Sequence, residues 1–109
     1  MFARFTIIHT KADKIDEAAG LFKESVVPAF KTQKGFNAAY FISERKAGKS
    51  ICVSIWDSEE DAVCNEKSQL YQDQLIKFMD LFSDPPYREG YEVIVMSLKE
   101  DQSASDGIA

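Results

Sequence analysis

Hydrophobic and polar positions divide the chain into segments of two periods. Phe2 to Lys11 (FARFTIIHTK) is rich in β-branched and aromatic residues, lacks Gly and Pro, and predicts a first strand. Asp13 then offers a helix cap, with Asp16 and Glu17 in the first turn, where the helix dipole favours anions. Ile15, Ala18, Ala19, Phe22, Val26, Ala29 and Phe30 recur at helical spacing and give one apolar face. Pro28 lies late in that pattern, where it kinks the helix or ends its regular part, and Gly35 is the stop. Phe36 to Ser43 predicts a second strand, Glu44 to Ser50 a polar hairpin turn containing Gly48, and Ile51 to Trp56 a third strand. Ser58 with Asp61 three residues on forms a capping box for a helix over Glu59 to Phe82. Its buried stripe is Leu70, Tyr71, Leu75, Phe78, Met79 and Phe82, with a break expected near Lys67 and Ser68, where the apolar period loses phase. Asp84-Pro85-Pro86 terminates it, and Tyr91 to Leu98 (YEVIVMSL) predicts the fourth strand.

The order β-α-β-β-α-β is the split βαβ pattern of a ferredoxin-like α+β domain, a four-stranded antiparallel sheet with both helices on one face. Val93 to Met96 and Ile51 to Trp56 lack the in/out alternation of a sheet with one wet face. The face away from the helices therefore needs a cover, and a second copy packed sheet against sheet is the economical one. A homodimer is the expectation. Residues 1–98 are assigned to one domain and 99–109 to a small polar tail.

Composition narrows the function classes. With 109 residues the chain fits one domain, and 45% hydrophobic with 28% charged residues excludes disorder for its bulk. A formal net charge of −5 argues against nucleic-acid and anionic-membrane partners, because phosphate binding needs clustered Lys and Arg. Apolar runs are too short to span a bilayer, and Arg4 and His9 interrupt the only N-terminal apolar stretch, so neither a membrane segment nor a signal peptide is expected. Two cysteines and one histidine are too few for a protein-only zinc site. The expectation is a cytoplasmic domain with no metal site.

Few motifs carry chemistry. Gly48-Lys49-Ser50 resembles the end of a phosphate loop, but it joins two strands and Ser43 stands where the first glycine belongs, so it is a turn. The acids Asp57 to Asp61 are explained by the helix start that follows them. Cys52 and Cys64 are expected to be small buried apolar residues, reduced and unpaired. His9, the only histidine, shares a strand face with Phe5 and Ile7; it is either a proton acceptor or ligand in a pocket or, the reading favoured from the residues alone, a satisfied or exposed strand-end residue. Tyr40 is a second polar candidate by residue type and strand position, and Trp56 closes the third strand, where an indole can stack a planar ligand or fill core.

Gly35-Phe36 after the first helix, a hydrophobic hairpin and Ser-Ile-Trp-Asp-Ser-Glu-Glu-Asp-Ala (Ser54 to Ala62) together resemble the antibiotic biosynthesis monooxygenase family, over about Met1 to Leu98. The resemblance implies a dimeric α+β barrel with a ligand pocket between each sheet and its helices. Some members oxidise phenols or quinols with O₂ and no cofactor, others degrade haem, and others bind or isomerise small metabolites. A Trp at the end of the third strand lines the pocket of the polyketide oxygenases, and Trp56 matches it. The Asn those enzymes carry earlier on that strand falls on Cys52. Asn65 stands near the Trp position of the haem-degrading branch, and no His follows His9, which argues against haem. The implied function is a small-molecule-binding protein acting as a cofactor-independent monooxygenase on a phenolic or quinol substrate. Trp56 and Tyr40 would bind that substrate and His9 would be the catalytic base. The alternative is a non-catalytic dimeric ligand-binding or assembly domain.

Overall fold

The computed structural model describes residues 1–99. Strand β1 (Phe2–His9) is followed by a short 3₁₀ turn and helix α1 (Ile15–Leu21). A wide π turn over Phe22–Val26 leads into α2 (Val27–Phe30). Strands β2 (Phe36–Glu44) and β3 (Lys49–Trp56) form a hairpin, α3 (Glu59–Glu66) and α4 (Gln69–Phe78) follow, and β4 (Tyr87–Glu92) closes the fold. The strands make one four-stranded antiparallel sheet in the order β2-β3-β1-β4. This is the ferredoxin-like arrangement expected from the sequence. No helix among the described residues is long and apolar enough to cross a membrane.

Local chemistry explains most boundaries. Pro28 occupies the start of α2, directly after the π turn, so the turn absorbs the hydrogen bond that proline cannot give. Asp13, the expected cap of the first helix, makes no capping hydrogen bond and lies inside the 3₁₀ turn. Ser58 does cap α3, its hydroxyl accepting from the Asp61 N–H at 3.1 Å. The expected break after Glu66 is real: Ser68 accepts from the Tyr71 N–H at 3.1 Å and starts α4 afresh. Gly35 and Gly48 both have positive φ, 82° and 67°, which suits glycine at a helix stop and in the hairpin turn.

Alternation along the strands sorts residues onto two faces. Arg4, Thr6 and Ile8 of β1 and Trp56, Ser54 and Cys52 of β3 face the helices, where Phe22, Phe30, Phe78 and Leu81 complete the core. In the second helical stretch Gln74 and Leu81 are buried, whereas Met79, expected in the stripe, is 61% exposed. The opposite face carries Phe5, Ile7, Tyr40, Val53, Ile55 and Tyr91, with Ile7 and Ile55 buried within it and Tyr91 exposed.

The fourth strand corrects the sequence reading. It runs Tyr87–Glu92, not Tyr91 to Leu98, and pairs Tyr87 with Ile7 through Glu92 with Phe2. At Phe2 the free edge of β1 ends, apart from a Val93 N–H bond to the Met1 carbonyl at 2.9 Å. The apolar run that predicted a strand extends beyond the sheet, with Ile94 and Val95 79% and 82% exposed. The tail assigned to 99–109 lies, past Lys99, outside the described residues.

Candidate functional site

Strand alternation turns Arg4, in the middle of an apolar strand, toward the helices, where it is 2% exposed. Its guanidinium donates to the Ala62 carbonyl at 3.1 Å and to Asn65 Oδ1 at 2.9 Å, and reaches Glu66 Oε2 at 3.5 Å. Three aromatic rings surround it, with centroids 5.0 Å (Tyr71), 5.3 Å (Trp56) and 5.6 Å (Phe30) from its central carbon. These contacts, each favourable for a cation, replace the water that burial removes. Burial pulls the Arg4 guanidinium below its ordinary pKa, and the Tyr71 and Glu66 oxygens push it back up.

A second arginine approaches from the sheet edge. Arg88 pairs opposite Thr6 on β4 and so falls on the same face as Arg4. It donates to the Tyr71 hydroxyl at 3.3 Å and lies 3.4 Å from Glu66 Oε1. The Tyr71 bond, more than the nearby Glu66 charge, raises its pKa. Gly90, opposite Arg4, has no side chain because the Phe2 ring occupies that space. Between β4, α3 and α4 opens a cleft of about 440 Å³, lined among others by Arg4, Glu66, Tyr71, Leu75 and Arg88. Behind Tyr71 and Leu75 lies a smaller apolar recess of about 50 Å³, bounded by Thr6, Phe22, Phe30, Cys52 and Phe78. Polar mouth and apolar interior thus share a wall, as small-molecule sites commonly do.

The structure does not bring the three residues singled out from sequence together. Trp56 has no exposed surface: its indole donates to Ser54 Oγ at 2.9 Å and packs against Phe30, Phe36 and Arg4. It supports Arg4 from beneath. His9 and Tyr40 alternate onto the other face of the sheet, both half-buried, Tyr40 opposite Val53 and His9 opposite Lys49 at the far end of β1. Cys52 and Cys64 are free thiols, as expected, but Cys64 is exposed on α3 rather than buried. Burial pushes the Cys52 thiol up to about 12.

Arg4, Glu66, Tyr71 and Arg88 were not singled out from sequence. Arg4 carried a signal, since a charge with the parity of Phe2, Thr6 and Ile8 must find partners on the buried face. Arg88 carried none, because the fourth strand was placed after it.

No protein-family model matches the sequence, and no curated protein matches it. Solved structures do. A protein of Bordetella bronchiseptica, provisionally named an antibiotic biosynthesis monooxygenase, superposes with a TM-score of 0.76 at 12% identity, over 86% of this chain and 97% of that one. A protein of unknown function from Nitrosomonas europaea gives 0.73 at 17% identity, over 90% and 93%. A further structure named antibiotic biosynthesis monooxygenase gives 0.69 at 11% identity, over 87% and 100%. Identities this low speak to architecture alone. The protein therefore has the fold of the antibiotic biosynthesis monooxygenases.

Proposed function

We propose that the protein is a homodimer whose helix–sheet cleft takes a small aromatic ligand, and that it oxygenates a phenolic or quinol substrate with O₂ and no cofactor. The observation that supports this best is the shared wall of cleft and recess at Tyr71 and Leu75, which offers a ring an apolar seat and its oxygen the Arg88 guanidinium beside the Tyr71 hydroxyl. Positive charge beside a phenol favours its deprotonated form, and an electron-rich phenolate supplies the electrons to O₂ itself. One oxygen atom becomes a new ring carbonyl, so that the product is a quinone; the ring C–H and phenolic O–H hydrogens it displaces leave with the other oxygen as water, and the substrate supplies all four electrons. The protein's part is to bind, orient and keep water out. In this reading Trp56 braces Arg4, while His9 and Tyr40, on the opposite face, belong to the dimer interface rather than to the cleft. Free thiols at Cys52 and Cys64 suit action in the cytoplasm.

A second reading, a ligand-binding or assembly domain without a reaction, is favoured by the position of the only histidine outside the cleft. Oxygen-electrode traces with a panel of quinols and phenols decide between them. Uptake that scales with protein and saturates with substrate is the expected result. Binding by calorimetry with no uptake leaves the second reading, and neither uptake nor binding removes the cleft as a ligand site.

A further inference from the structure

The cleft offers hydrogen-bond donors without acceptors to match. Arg4 Nε is buried and donates to nothing among the described residues. The Tyr71 hydroxyl accepts from Arg88 and has a proton of its own to give. The one partly buried carboxylate is already divided, Glu66 Oε2 lying 3.5 Å from Arg4 and Oε1 3.4 Å from Arg88. Both contacts are long for charge-assisted bonds, so Glu66 holds two guanidiniums loosely rather than saturating either. Two positive charges face one negative charge around Tyr71. Of the other acids at the rim, Glu59 is exposed in the first turn of α3. Glu89 accepts from Tyr91 and alternates onto the outer face with Phe5.

We propose that this corner binds the carboxylate of an aromatic acid, so that the cleft prefers a ring bearing a carboxyl group over its neutral counterpart. The proposal rests on the reading that the cleft takes an aromatic ligand and specifies which class. A carboxylate has two acceptor oxygens in a plane, the shape a guanidinium fork recognises, and it replaces Glu66 on Arg88 while taking the Tyr71 proton as a hydrogen bond. The attached ring then lies against Leu75, toward the apolar recess.

Calorimetry with naphthoate and its near-isosteric amide, naphthamide, tests this. Naphthoate should bind about tenfold or more tightly, the order expected when a charged, bidentate partner is exchanged for a neutral one. Arg88→Gln should bring the ratio of naphthoate to naphthamide affinity down to about one, whatever it does to either probe alone; its melting curve should match the parent's, because Arg88 lies exposed at the sheet edge. Glu66→Gln removes the competing carboxylate, and should raise the ratio of naphthoate to naphthamide affinity severalfold. Equal binding of both probes by the unaltered protein would overturn the proposal and leave the aromatic cleft standing. A preference that survives Arg88→Gln would also overturn it. If neither probe binds, the proposal and the aromatic reading of the cleft fail together.

Discussion

Arg4 gives up nearly all its water on folding and recovers hydrogen bonds to Ala62, Asn65 and Glu66 within a ring of three aromatic side chains. A lysine could satisfy one of these partners as a point charge but could neither fork between them nor stack on the rings. Residue-scale chemistry also separates the two thiols. Reaction requires the thiolate, and Cys52 is held up to about 12 by its apolar surroundings while Cys64 is exposed. Iodoacetamide at pH 8 should therefore add one adduct to the native chain, at Cys64, and a second only in denaturant. Peptide mass mapping checks this; labelling of Cys52 in the native protein would contradict the packing described.

At the scale of elements, two serines govern where helices begin. Ser58→Ala and Ser68→Ala each remove one capping bond, to Asp61 and Tyr71 respectively, and each should lower stability by about 1 kcal/mol in urea unfolding. Ser68→Ala should in addition weaken ligand binding, because its bond fixes the turn that carries Tyr71; Ser58→Ala should not. The first start was legible in the sequence as the Ser58 capping box, the second only as a loss of phase in the apolar period near Lys67 and Ser68. Pro28 was legible as a disturbance, though not as a π turn, which depends on how the helix settles on the sheet. The fourth strand was not legible. Tyr87 to Glu92 alternates weakly and carries Arg88 and Gly90, whereas Val93 to Met96 looks like an ideal strand. Pairing decided the matter: β1 offers its free edge only as far as Phe2, and apolarity beyond that point creates no partner. The same displacement hid the site, because Arg88 and one wall of the cleft lie on β4.

The molecule exposes large apolar side chains in two places, Ile42, Tyr87 and Tyr91 on the outer sheet face and Ile94, Val95, Met96 and Leu98 after β4. Their proximity to one another, through Tyr91 on one and Val93 at the start of the other, makes one continuous surface fit for a second copy. Light scattering at micromolar concentration should give twice the chain mass of 12.3 kDa. Val95→Asp, at a position 82% exposed in the single chain, should yield a folded monomer rather than an unfolded chain. A monomeric mass for the unaltered protein would sink the dimer.

The chain contains a single tryptophan, and it lies sealed beneath the guanidinium that forms the floor of the cleft. Its ultraviolet emission is therefore that of one indole in one dry environment, and the Arg4 charge 5.3 Å from its ring shares Glu66 with Arg88, the group a ligand would engage. Occupancy of the cleft becomes an optical signal native to the molecule, readable without a label in ligands that do not absorb where the indole does. The same indole separates two events that activity assays confuse: loss of the fold wets it and moves its emission to the red, whereas a ligand on Arg88 acts through Glu66 and Arg4 and leaves it dry.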